Sequence, residues 1–169
     1  LFYPTIADGG SGGHKIWVPE FFGDTPVING KAYPFLNVEP RKYRLRFING
    51  SQARFYNVGF KKVDDPPLTF YVIGSEGGLL PAPAAKTSLL ISPGERFDVI
   101  VDFTGISLGS TVMMTNDAKA PYPMGDPATV PELMKINIIN SLAGIDDTVL
   151  PANLILPAHE DFLYYQWRE

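Results

Sequence analysis

Several stretches of the chain alternate apolar and polar side chains residue by residue. Tyr43, Leu45 and Phe47 fall on one parity, with Arg44 and Arg46 on the other. Phe97, Val99, Val101 and Phe103 alternate in the same way with Asp98 and Asp102. Successive side chains of a strand point to opposite faces, so each stretch predicts a strand with one buried face. Arg54 to Phe60 repeats the pattern, with Tyr56, Val58 and Phe60 inward. Apolar, β-rich runs at Thr69–Ile73, Thr87–Ile91, Ser110–Thr115 and Leu133–Ile139 predict further strands.

Turn chemistry separates these runs. Asn29-Gly30 is the pair that best accepts positive φ at both centres of a type I′ hairpin, here joining Pro26–Lys31 to Ala32–Val38. Pro34 removes a ladder donor from the return strand, which predicts a sheet edge. Glu39-Pro40-Arg41-Lys42, Asn49-Gly50-Ser51-Gln52, Gly74-Ser75-Glu76-Gly77-Gly78 and Ser92-Pro93-Gly94-Glu95 mark corners and turns. Lys61–Pro67 reads as a surface loop, and Pro81 and Pro83 as a connection. Strands recur at roughly 10–20-residue spacing without a long amphipathic helix, which predicts an all-β, antiparallel Greek-key sandwich of roughly six to eight strands. The connector Asn116–Pro131 is longer than most, and so is either functional or mobile. Alternation stops at Asn140, placing a domain over 1–140 and a linker over 141–169, with an aromatic end at Phe162–Trp167.

Composition narrows the function classes. The chain has 169 residues, with 16 Pro and 16 Gly, which suits a turn-rich fold with one core. Its net charge is −4 and its basic residues are scattered, so a nucleic-acid partner is not expected. No apolar run approaches the roughly 20 residues of a membrane-spanning helix. Leu1-Phe2-Tyr3-Pro4 lacks the basic region of a signal peptide and reads as a chain entered midway. Cysteine is absent, which excludes disulfides, thiolate metal sites and cysteine nucleophiles.

The candidate chemistry is thin. Gly9-Gly10-Ser11-Gly12-Gly13 fits the form of a nucleophile elbow, but neither strand nor helix signals flank it, so a hydrolase built on Ser11 is a distant reading. Gly74–Gly78 lacks the Lys and helix start of a phosphate cradle. His14 and His159 are the only histidines and have no ligand partners at metal-binding spacing, so no metal site and no catalytic residue is assigned. Asp98 and Asp102 share an outward face and read as solubilising charges, not paired acids. Asn49-Gly50-Ser51 is a glycosylation sequon that reads better as a turn. Arg44, Arg46 and Arg54 are the best interaction candidates, set against solvated strand edges with weak surface ion pairs.

The stretch VINGKAYPFLNVEPRKYRLRFINGSQARFYNVGF, Val27 to Phe60, resembles the second, cupredoxin-like domain of multicopper oxidases of the spore-coat laccase and bilirubin oxidase branch. Ile73–Pro81 and Ile91–Phe103 match in the same order, and the similarity runs over roughly residues 1–140, more specific than any single motif. The resemblance implies a cupredoxin-like β-sandwich and a parent enzyme that oxidises phenols or similar small aromatic reductants one electron at a time and reduces dioxygen to water. It also implies copper in the parent, held by Cys and His of the flanking cupredoxin domains, and no cofactor in this chain. The implied role here is an interdomain scaffold and part of the reductant-pocket wall, at Pro19, Phe22, Gly23, Ala53, Ala120 and Pro121, with the Ser51–Arg54 turn facing a neighbouring domain. An extracellular, periplasmic or spore-coat location is implied as well. The competing class is a free-standing β-sandwich that binds a partner or glycan without catalysis.

Overall fold

Alternation along the chain becomes two sheets packed face to face. The computed structural model describes residues 20–127 and 130–157. In chain order the strands are β1 (Val27–Ile28), β2 (Lys31–Ala32), β3 (Phe35–Val38), β4 (Lys42–Ile48), β5 (Tyr56–Lys61) and β6 (Phe70–Ser75). They continue with β7 (Gly78–Lys86), β8 (Ser88–Ile91), β9 (Arg96–Asp102), β10 (Ser110–Asn116) and β11 (Glu132–Ile138), followed by a 3-10 turn at Pro151–Asn153. A five-stranded sheet has the order β3-β11-β10-β5-β8, and a four-stranded sheet the order β4-β9-β6-β7. These are more strands than the periodicity predicts. Most connections cross from one sheet to the other, as a Greek-key sandwich requires. No described helix is long and apolar enough to cross a membrane.

The inward faces meet around Phe60, which is fully buried. Phe47 stacks on it from β4 with ring centroids 6.5 Å apart, and Phe70 meets it edge-on from β6 at 5.4 Å. Val38, Val58, Val99, Val101, Phe103, Val112, Ile136 and Ile138 complete the core. Each such side chain contributes roughly 1.5–3 kcal/mol by leaving water. Arg44 and Arg46 stay exposed on the opposite parity of β4, as the alternation predicts.

Several expectations need correction. The sandwich is not wholly antiparallel, because β3 runs parallel to β11. β3 is free to do so because its onward connection, the Glu39–Arg41 corner, leaves for the other sheet and imposes no hairpin. The return strand Ala32–Val38 is broken into β2 and β3 by Tyr33, whose φ is 43°, and by Pro34. The hairpin turn itself has φ of 50° at Asn29 and 78° at Gly30, as a type I′ turn requires. Pro81 and Pro83 lie within β7, not in a connection. The β6–β7 register passes from Val72↔Ala84 to Gly74↔Leu79, so both prolines fall in an irregularity of an edge strand, where no donor is needed. Ser11, His14, Pro19, His159 and Phe162–Trp167 lie outside the described residues.

Candidate functional site

The loops at one end of the sandwich converge on the short segment between β4 and β5. Asn49, only 5% exposed, organises this corner. Its Nδ2 donates to the carbonyls of Arg54 at 2.8 Å and Ile91 at 3.0 Å. Its Oδ1 accepts from the Ser51 amide at 3.0 Å, and the Ser51 hydroxyl lies 2.6 Å away. Every polar atom of the side chain is committed, so the sequon is a structural turn and Asn49 is not presented to a glycan donor.

The corner aims Arg54 inward. Arg54 is 2% exposed, which corrects its grouping with Arg44 and Arg46 as a surface cation. It shares the parity of Tyr56, Val58 and Phe60, the inward set, and the loop before β1 covers it. Its Nη2 donates to the Gly23 carbonyl at 2.8 Å, and its guanidinium sits 5.7 Å from the centroid of the Phe22 ring. Gln52 Oε1 accepts the Phe21 amide at 3.1 Å, a second tie on the same loop. Arg44, by contrast, forks onto Asp98 across the sheet. Asp98 is thereby engaged and Asp102 accepts the Thr104 amide, so the two carboxylates do not form a catalytic pair. Glu76 of the Gly74–Gly78 hairpin turn accepts the Arg96 amide and pairs with the Arg96 guanidinium.

Phe55, next along the chain, stacks on Tyr122 with ring centroids 4.9 Å apart and planes 22° apart. Buried Asn116 anchors the loop that carries Tyr122. Its Oδ1 accepts the Asn57 and Ala118 amides at 2.9 and 3.0 Å, and its Nδ2 donates to the Val130 carbonyl at 3.1 Å. Ala120 and Asp126 exchange backbone hydrogen bonds across the loop, and the Gly125 amide donates to the Pro121 carbonyl at 2.7 Å. The Ala120–Pro121 and Tyr122–Pro123 bonds are both cis. Gly125 is required by space: a Cβ there would lie 2.3 Å from the Ala120 carbonyl. Beside this loop is a shallow depression of about 350 Å³, lined by Asn57, Leu90, Asp117, Lys119, Tyr122 and Pro123. Two of these lining residues are joined, Asn57 Nδ2 donating to Asp117 Oδ1 at 2.7 Å. Burial pushes the Tyr56 phenol upward, partly offset by the Arg54 charge, so that hydroxyl stays protonated at neutral pH.

Three segments thus meet along Ala53–Phe55: Phe22 and Gly23 through Arg54, and Ala120 and Pro121 through their neighbour Tyr122 on Phe55. Grouping Arg54 with Arg44 and Arg46 overlooks its inward parity, and alternation alone does not give the Phe55–Tyr122 stack. A usable signal existed, since Phe55 is a large aromatic on the outward parity of a strand whose inward set is Tyr56, Val58 and Phe60. No group of three or more His, Cys, Asp or Glu side chains able to hold a metal ion occurs among the described residues.

No family model matches the chain. It is 45% identical over 144 residues to Multicopper oxidase LPR1 of Arabidopsis thaliana, covering 84% of this chain and 24% of that protein. It is 38% identical over 156 residues to a laccase of Bacillus subtilis (strain 168), covering 91% of this chain and 29% of the laccase. The crystal structure of the McoA multicopper oxidase of Aquifex aeolicus superposes with a TM-score of 0.70 at 31% identity, covering 90% of this chain and 34% of that one. The chain therefore spans about a quarter of the length of the relatives it matches.

Proposed function

The chain belongs to the multicopper oxidase family, and from that premise we propose that it is the middle, copper-free cupredoxin-like domain of a laccase-like oxidase. In this reading it spaces two flanking domains and walls part of the pocket in which a small aromatic reductant gives up its electron. The donor set of this chain does not fit a redox copper: it has no Cys, and its two His lie far apart in sequence. Copper and the reduction of dioxygen are accordingly proposed for other parts of the polypeptide.

One observation carries the pocket-wall reading. The loop before β1, the Ala53–Phe55 segment and the Ala120–Tyr122 loop are tied together by Arg54 and by the Phe55–Tyr122 stack at a single end of the sandwich. Neither contact belongs to the apolar core, and stacked rings at the rim suit a flat aromatic donor. The test is kinetic, in the full-length oxidase. Tyr122→Ala is expected to raise KM for a bulky phenol several-fold, while kcat with a small inorganic reductant and copper content stay at wild-type values. An unchanged phenol KM would remove the wall assignment.

A further inference from the structure

We propose that residues 141–157 form a strap spanning the four-stranded sheet from edge to edge, with the Lys42–Asp146 pair as its latch. β4 and β7 are the two edges of that sheet. At the β4 edge, Asp146 Oδ2 accepts both the Lys42 amide at 3.1 Å and the Lys42 ammonium at 3.0 Å. The two side chains are 11% and 6% exposed, so the pair is almost out of water. The other carboxylate oxygen accepts the amide and hydroxyl of Thr148, closing a turn in the strap itself. Upstream, the Ala143 amide donates to Glu39 Oε2 at 3.3 Å and the Asn140 amide to the Val38 carbonyl at 3.2 Å. At the far edge, the 3-10 turn packs on β7 with Pro151 buried. Four strands spaced by about 4.8 Å span ~14 Å, which the residues from Asp146 to Pro151 can reach at ~3.3 Å each.

The strap is seated the wrong way round for hydrophobic docking. Ile145 is 90% exposed and Ile155 92%, with Val149 and Leu150 more than half exposed, while the charged group faces the domain. Apolar burial is therefore confined to Pro151 and the half-buried Leu154 and Leu156 at the far edge, and the seating at the β4 edge depends on the polar contacts. A nearly buried ion pair is unforgiving of losing one partner, because the other is left desolvated and uncompensated. Removing either member should release the strap locally and leave the sandwich intact.

The experiment is limited proteolysis of the native chain by a protease that cuts after leucine, with fragments assigned by mass to Leu150, Leu154 and Leu156. Asp146→Asn and Lys42→Met are each expected to raise the strap cleavage rate by about tenfold, and the double variant no further, as one shared contact dictates. Amide exchange in β9 should stay at wild-type rates in all three. Cleavage of Asp146→Asn at the wild-type rate, or a double variant equal to the product of the singles, overturns the latch. Wild-type hydrogen exchange gives an answer independent of any variant: Lys42 and Thr148 amides that exchange as fast as an unfolded chain overturn it too.

Discussion

Asn49 shows what a single buried amide can impose. It holds the carbonyls of Arg54 and Ile91 with its two donor hydrogens and caps the Ser51 turn with its oxygen. Asn49→Ala takes a donor from the Ile91 carbonyl and leaves the Arg54 carbonyl with the Ser51 hydroxyl alone, at roughly 1–3 kcal/mol for the desolvated groups. The expected result is an unfolding midpoint lowered by several degrees, read by calorimetry, while Ser51→Ala costs less because water reaches that turn. The turn was legible from Asn-Gly-Ser, but its hold on Arg54 was not. A polar residue announces its turn through local sequence, whereas the partner it buries is chosen by tertiary packing. Arg54 has the inward parity of Tyr56, Val58 and Phe60, but its cover comes from Phe22 and Gly23, a loop that no local pattern connects to it.

Elements with one wet face were the most legible. β4 and β9 lie side by side with Leu45↔Val99 and Phe47↔Phe97 in register, and their alternation alone predicts the inward set. β7 was hidden because its two prolines are tolerated only at an edge, and edge status is a property of the assembled sheet. The loop from Asn116 was recognised by its length, but its shape rests on close backbone approach. Gly125→Ala places a methyl group into the Ala120 carbonyl and must shift the loop. The expected outcome is loss of the Phe55–Tyr122 stack, seen as Tyr122 ring resonances moving to unstacked positions, with β9 and β11 amide shifts unchanged. Tyr122 resonances that stay in place would show that the loop absorbs the methyl group without releasing the ring.

At the scale of the molecule, the described residues join a sandwich core to a rim whose contacts lie outside that core. Phe60, Phe47 and Phe70 hold the sheets together. Arg54 and the Phe55–Tyr122 pair hold three loops at one end, and the Lys42–Asp146 pair holds residues 141–157 along the four-stranded sheet. This division fits the proposed role of a domain that presents surfaces to its neighbours. A member of a copper enzyme family is proposed here to serve as a copper-free domain. Calorimetric titration of this chain with copper, followed by desalting and metal analysis, tests it most directly. The expected result is less than stoichiometric, weakly held copper and no intense visible absorption. A tightly bound copper in one-to-one ratio with a strong blue band would contradict it.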